Sequence, residues 1–462
     1  VAMTNELILD TSLNRTTIPA VHQTQLIYAL LEVQPAEGLG TVQLPVNLSM
    51  VVDRSQSMCI PILTEEQFEE MARRGQVREV MVDGVPVWEF RNVPTELAAN
   101  APRSLDFVKA ALRSALEQLR PDDRFSLVAF ASRAQVLIRN QSGANKRRLL
   151  DAIEQLEGLQ LGDETRMAQG MDLGYQEAAR ALSPEMVNRI VILTDGFTLD
   201  SDECLHQAQQ ATAQGVSVST MGLGVEFNEE LMITIADMSG GNAYFIRDPQ
   251  EIPDAFAKEL RGVQAIALRN LELKIRLADG VELRKAHRVM PVISDLGRVP
   301  ISDRSFNILL GDLERDSTHA LLLELLVPPR SPGTYRLAYV VLSYDSPAQG
   351  LLGEKVRDDI VVQYTDDPYV GTQTDARVMN VVEKVSAHRL QTRALQEVHA
   401  GNIAGATVKL RAVATRLLNM GEDELAQAAL QEAENLERQG QLSAAGTKKL
   451  RYETRKLTQK LE

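Results

Sequence analysis

Hydrophobic and polar positions change rhythm three times along the chain, and each rhythm predicts a different architecture. Up to residue 45 the apolar residues form two short runs, 6–10 and 25–33, separated by polar, proline-containing sequence. In the second run Tyr28, Leu30 and Glu32 alternate with Ile27, Ala29 and Leu31. That alternation predicts a strand with one buried and one half-buried face. From 46 to 265 short apolar runs alternate with stretches of helical period. Strands are expected at 46–52, 125–131, 189–194, 216–223 and 242–246. Helices are expected at 104–119, 145–156, 167–182, 202–214, 228–238 and 249–262. Within 104–119, Phe107, Ala111, Leu112, Ala115, Leu116 and Leu119 recur at helical spacing. Such alternation predicts βαβ units in a doubly wound, mainly parallel sheet, whose ligands sit beyond the carboxyl ends of the strands.

Residues 266–365 read as strands only, at 268–277, 281–288, 305–311, 320–327, 334–343 and 355–364. Turns are marked by Asp279-Gly280 and Ser331-Pro332-Gly333. This predicts an antiparallel β-sandwich, completed by the strands before residue 46. After Asp366-Asp367-Pro368 the period is helical at 375–399, 403–419, 423–438 and 443–461, broken at Gly401, Gly421 and Gly440. Short breaks between helices of that length give antiparallel hairpins. The expected fold is therefore an α/β domain at 46–265, inserted in a β-sandwich built from 1–45 and 266–368. A C-terminal helical bundle follows at 369–462.

Composition narrows the function. Aromatic residues are 4% of the chain and the net charge is −14, which argues against nucleic-acid binding. Two cysteines do not make a disulfide framework and suit a reducing compartment. The N-terminus lacks a basic head followed by an apolar core, and no apolar run is long enough to span a bilayer. The expected location is cytoplasmic. Residues 372–462 hold 14 Lys+Arg and 11 Asp+Glu, so this part carries +3 and the rest −17. Lys448, Lys449, Arg451, Arg455, Lys456 and Lys460 crowd its end, as a solvated helix face or as a docking surface for an acidic partner.

The candidate chemistry lies where the first strand of the α/β stretch ends. The run 46–52 delivers Asp53-Arg54-Ser55-Gln56-Ser57-Met58 into a loop. Asp53, Ser55 and Ser57 alternate, so an extended backbone turns their oxygens to one side. One carboxylate and two hydroxyls form part of a shell for a hard cation such as Mg2+, which takes six oxygens in octahedral order. The same triplet also suits an ordinary loop in which a hydroxyl caps the next helix. Two further segments bring oxygens to the same sheet edge: Leu161-Gly162-Asp163-Glu164-Thr165, and Thr194-Asp195-Gly196 at the end of the strand 189–194.

The ordered set Asp53-x-Ser55-x-Ser57, Thr165 and Thr194-Asp195-Gly196 resembles the metal-ion-dependent adhesion site of von Willebrand factor A domains. The resemblance covers about 220 residues and fills all five positions of the motif. It implies direct ligation by Ser55, Ser57 and Thr165, with Asp53 and Asp195 direct or acting through water. Mg2+ is the implied ion, with Mn2+ or Ca2+ as alternatives. Asp163-Glu164 stands where the family more often approaches its threonine through glycines, placing two extra carboxylates near the cation or in solvent. The layout resembles bacterial proteins related to the inter-alpha-trypsin inhibitor heavy chain. By analogy, tilting at linkers near 41–45 and 262–268 would couple the site to the rest of the chain.

An unfinished shell leaves the cation open to an Asp or Glu from a partner. The chain offers little for catalysis. His22, His206, His287, His319, His388 and His399 are scattered, no GxxxxGKS/T phosphate loop occurs, and Gly222-x-Gly224 lacks the rest of a dinucleotide fingerprint. The leading expectation is a non-enzymatic, metal-dependent protein-binding adaptor. The alternative is a regulatory or substrate-recruiting subunit of a MoxR- or chelatase-like AAA+ ATPase machine, or a partner in kinase and phosphatase signalling. Both come from the resemblance, and a metal-dependent hydrolase ranks below them. The stretch 59–103 is an insertion beside the site, with a helix at 65–74 and a hairpin of 78–82 and 85–90 turning at Asp83-Gly84. It reads as a partner-selecting wall anchored by Trp88, or as a segment that Trp88 and Phe90 merely pack down. Cys59 and Cys204 flank the same edge, as a redox pair or as two unrelated thiols.

Overall fold

The computed structural model describes residues 2–3, 6–36, 43–82, 85–90, 101–297, 299–367, 369 and 373–460, with 2–3, 65, 79–82, 85–90, 444–445 and 460 as backbone only. The chain forms two compact units. One joins Val1–Gln43 to Ala265–Glu462, and the other is Leu44–Gln264, inserted between them in sequence.

The chain opens with strands β1 (Ala2–Met3), β2 (Leu7–Leu13), β3 (Thr17–Pro19) and β4 (Gln25–Pro35). The inserted unit follows with β5 (Val46–Asp53), α1 (Glu65–Arg73), β6 (Val77–Val82), β7 (Val85–Phe90), α2 (Ser104–Gln118), β8 (Arg124–Phe130) and β9 (Ala134–Ser142). It continues with α3 (Lys146–Glu154), α4 (Met167–Ala179), β10 (Val187–Thr194), α5 (Ser201–Ala213), β11 (Ser217–Leu223), α6 (Glu229–Ser239), β12 (Ala243–Ile246) and α7 (Ile252–Gln264). Its main sheet has the order β12-β11-β10-β5-β8-β9. All neighbours run parallel except β9, which pairs antiparallel with β8. Every residue of β5 is buried, as a central strand covered on both faces requires. Helix α4 lies so close to it that a Cβ on Gly174 would stand 2.5 Å from Val51.

The sequence gives no sign of β9, because only Ile138 of its nine residues is buried, leaving too thin an apolar alternation. The insertion does fold as α1 and the antiparallel hairpin β6–β7, with Val82 opposite Val85. Its turn, Asp83-Gly84, and the Trp88 and Phe90 side chains lie outside the described residues. Where the excursion leaves and returns, Ile62 N donates to Pro102 O at 2.8 Å and Pro61 bridges Arg103.

The chain then adds β13 (Ile266–Leu277), β14 (Glu282–Met290), β15 (Ser294–Asp295), β16 (Ser305–Glu314), β17 (His319–Val327), β18 (Gly333–Ser346) and β19 (Leu351–Thr365). Two sheets result, β1-β2-β4-β17-β14-β15 and β16-β13-β18-β19-β3. The early strands thus complete the sandwich. Leu9, Ile27, Leu31 and Leu323 of one sheet meet Leu273, Ile275, Val340 and Leu342 of the other. The chain ends in α8 (Ala376–His399), α9 (Ile403–Asn419), α10 (Asp423–Gln439) and α11 (Ala444–Arg455). These helices cover the second face of β4, where Leu30 joins Val381, Val385 and Leu410, with Tyr28 packed alongside. Gly440 ends α10 at φ 70°, a left-handed cap that glycine adopts without strain. The basic run at the end is not a uniformly solvated face, although Lys456 is exposed. Lys448 and Arg455 are buried, and Arg455 Nε donates to Ile293 O at 3.0 Å.

Candidate metal centre

Three loops at the carboxyl edge of the parallel sheet build the site. Asp53 ends β5 fully buried, and its two carboxylate oxygens are separately engaged. Ser55 N donates to Oδ1 at 2.8 Å and Thr194 Oγ1 donates to Oδ2 at 2.5 Å. Ser55 Oγ lies 3.0 Å from Ser57 Oγ, and Ser57 Oγ donates to Asp195 Oδ1 at 2.7 Å. A chain of side-chain oxygens therefore runs from the strand end of β5 to that of β10, its neighbour in the sheet. Thr165 is buried, and a Cβ on Gly196 would come 3.0 Å from its Oγ1. Glycine at 196 lets the Asp195 loop lie flat against that hydroxyl.

The Thr165 loop is held from both sides. On the β8 side Arg133 N donates to Leu161 O, Arg166 N to Ala131 O, and Glu164 N to Ser132 Oγ, each at 3.0 Å. On the β10 side Leu199 N donates to Thr165 O at 3.1 Å. The first turn of α4 is capped across this gap: Asp200 accepts from Met167 N and Ala168 N at 3.1 Å each, and Thr198 Oγ1 accepts from Met167 N at 2.9 Å. Sequence reasoning misses this role. Asp200 sits immediately before α5 and reads as that helix's own cap, yet its side chain does not cap α5. Arg54, also missed, ties the β5 loop to the end of α3, donating to Leu156 O and Glu157 O at 2.7 Å each.

The electrostatics are those of two acids without a counterion. Burial raises the Asp53 carboxyl above its ordinary range, against the pull of hydrogen bonds from Ser55 and Thr194. Asp195 is pushed up to about 8, first by burial and then by the nearby charges of Asp53 and Glu226. Glu226, on the loop after β11, is itself raised by burial. Among the described residues no Lys, Arg or His side chain pairs with Asp53 or Asp195. Nor do three His, Cys, Asp or Glu side chains converge there as a metal cluster. The donor set is thus all oxygen, poor in carboxylates and rich in hydroxyls, and it fits a hard divalent cation such as Mg2+.

Asp53, Ser55, Ser57, Thr165 and Asp195 come together at this edge, while Asp163 is exposed and takes no part in the hydrogen-bonded group. The Trp88 side chain lies outside the described residues. Cys59 and Cys204 are free thiols, so no redox link joins them. Cys59 Sγ accepts from Arg54 Nη1 at 2.6 Å, and Cys204 Sγ lies 3.6 Å from Asp200 Oδ1.

Comparison with known proteins agrees with this fold. The von Willebrand factor type A domain family matches residues 100–258, and the "Sll0103-like, C-terminal alpha-helical domain" matches 376–460. The uncharacterized protein sll0103 of Synechocystis is 30% identical over 317 residues, covering 67% of this chain and 74% of that protein. The chain belongs to the von Willebrand factor type A domain proteins. A solved von Willebrand factor type A protein from Catenulispora acidiphila matches with a TM-score of 0.73 over 99% of both chains. At 14% identity that likeness speaks for the fold alone. The inter-alpha-trypsin inhibitor heavy chain H2 of Mus musculus is 23% identical over 171 residues, 35% of this chain and 18% of that one. A von Willebrand factor type A domain is a protein-interaction module, and such domains commonly bind a divalent metal ion at this edge. Among the described residues no helix is long and apolar enough to cross a membrane.

Proposed function

We propose that the α/β unit is a divalent-cation-dependent protein-binding module, acting without catalysis of its own. The observation that carries this is a pair of acids, fully buried Asp53 and half-buried Asp195, bridged by hydroxyls and paired with no cationic side chain among the described residues. Two carboxylates this close repel each other unless a proton or a cation neutralises them. Ser55, Ser57 and Thr165, with Asp53 and Asp195, would hold Mg2+. The bound cation supplies an electrophilic position that accepts a carboxylate from outside. Loops pinned by Arg54 and Asp200 keep the oxygens preorganised, so the protein reorders little on loading.

The partner in this reading is a protein offering an Asp or Glu. An AAA+ ATPase ring or a kinase and phosphatase signalling protein is the class carried over from resemblance. The non-catalytic reading is supported by the histidines: His287, His319 and His388 are buried in the other unit, and His206 of this unit stands exposed on α5, outside the hydrogen-bonded group. The test is calorimetric titration of full-length protein with Mg2+, followed by pull-down from native lysate with and without EDTA. Parent protein should take up Mg2+ and lose its partner in EDTA, and Ser57→Ala and Asp53→Ala should neither take up Mg2+ nor capture the partner in either buffer. A partner retained equally in EDTA and by Asp53→Ala would refute the metal bridge.

A further inference from the structure

The surface around the candidate metal centre is divided by polarity. The large apolar side chains exposed in the α/β unit, among its described residues, are Phe197, Leu199 and Val225, with 49%, 58% and 37% of their surface open. All three lie on the loops that follow β10 and β11, adjacent strands on one side of β5. The other large apolar side chains described in this unit are buried or half-buried. Apolar side chains gathered on the rim of a binding site, rather than scattered, mark a contact surface. Across β5, on the β8 side, the rim is charged. Asp163, Glu164, Arg133 and Arg166 are exposed there; Glu164 pairs with Arg166 at 3.2 Å and Arg133 donates to Gln160 O at 3.0 Å, which leaves the Asp163 carboxylate as the group facing solvent.

This asymmetry constrains what reaches the site. A segment laying a carboxylate into the centre must run one flank over Phe197, Leu199 and Val225 and the other past Asp163. Resting on the metal-bridge reading, we propose that the centre takes an acidic residue flanked on one side by large apolar side chains. On the other side that residue carries a Lys or Arg. The apolar flank removes Phe197 and Leu199 from water, and the basic flank meets the free Asp163 carboxylate. A small free anion would engage neither rim. The division of the rim therefore favours a protein segment over a metabolite.

A displayed library of twelve-residue peptides with one fixed central aspartate, selected on the full-length protein in Mg2+, tests the assignment. Enriched peptides should carry Leu, Ile, Phe or Met within three positions on one side of the aspartate and Lys or Arg on the other. The best peptide should bind roughly tenfold more weakly to Phe197→Ser/Leu199→Ser/Val225→Ser, whose changes lie on the surface. On Asp163→Lys, selection should exchange the basic flank for an acidic or neutral one. Enriched peptides that need Mg2+ but show neither preference would overturn the flank assignment and leave the metal bridge standing. Peptides bound equally well in EDTA would overturn the metal bridge itself. A selection that enriches no sequence counts against the flanks.

Discussion

Replacing Asp195 by Asn should stabilise the metal-free protein at neutral pH while abolishing its response to Mg2+. Asp195 lies half-buried beside Asp53 and is pushed up to about 8, against 3.8 for a free aspartate. With the folded value raised, the carboxyl favours folding when protonated. That contribution is full below about pH 4 and is lost as the pH rises through 8. At pH 7 the penalty on the charged form is at most about 4 kcal/mol, three pH units at 1.4 kcal/mol each. Water entering the open cleft halves this, to about 2 kcal/mol. For a unit of this size, 2 kcal/mol corresponds to roughly 4–8 °C in Tm. Asparagine keeps the shape and accepts the Ser57 hydrogen bond through its carbonyl, so the substitution removes charge and little else. Scanning calorimetry of full-length parent and Asp195→Asn, in EDTA at pH 5 and pH 8 and again with Mg2+, reads the effect. The parent should melt lower at pH 8 than at pH 5 in EDTA and regain the difference with Mg2+. The variant should melt above the parent in EDTA at pH 8 and ignore Mg2+. A variant no more stable than the parent in EDTA at pH 8 would show that the acid pair is not strained, and the reasoning would fail.

Other perturbations probe the rest of the fold. Burial pushes His287 and His319 down to about 4 and His388 to about 3, so the unfolded chain binds more protons than the folded one between about pH 4 and 6.5. Stability from these groups is full above pH 6.5 and falls as the pH drops, by up to about 1.4 kcal/mol per pH unit for each His. The urea midpoint of the sandwich and helical unit should therefore fall steeply from pH 7 to 5, and a flat profile would refute it. Asp200→Ala uncaps α4 and should cost about 1–2 kcal/mol in urea unfolding; a loss below about 0.3 kcal/mol would show the cross-loop cap to be weak. Removing 62–101 and joining Pro61 to Pro102, where Pro61 already bridges Arg103, should preserve Mg2+ binding and change affinity for the selected peptide. Unchanged peptide affinity would reduce the insertion to packing.

The parts of this molecule legible in the sequence are those whose signal is local. Asp53, Ser55 and Ser57 are near neighbours in sequence, spanning a strand end and the start of a 3-10 turn rather than one extended stretch, and strand–helix alternation is enough to bring Thr165 and Asp195 to the same edge. The sandwich around the insertion could be read because β4, with no helix before β5, had to find partners elsewhere. β9 was hidden because an edge strand with one buried residue leaves almost no apolar period. Asp200 was hidden for a different reason. Its sequence position suggests a cap for α5, and only the folded loop turns its carboxylate back onto α4. Glu226 belongs to the same class, since its charge reaches Asp195 only because β10 and β11 lie side by side. The buried Lys448 and Arg455 show the limit of charge patterning, which reports net charge and not which side chain faces inward.

The acid pair also fixes an order of events in the proposed mechanism. A partner carboxylate approaching the metal-free site meets the fields of Asp53, Asp195 and Glu226, three groups of its own sign in a poorly hydrated cleft. Protonation relieves part of that repulsion and offers no position for a ligand. A divalent cation relieves it and creates the position, so loading must come before the partner. Two consequences separate this scheme from simple surface adhesion. Partner association should speed up with Mg2+ concentration and then saturate. Acidification, which favours the proton over the cation at Asp195, should weaken the complex even where both partners remain folded.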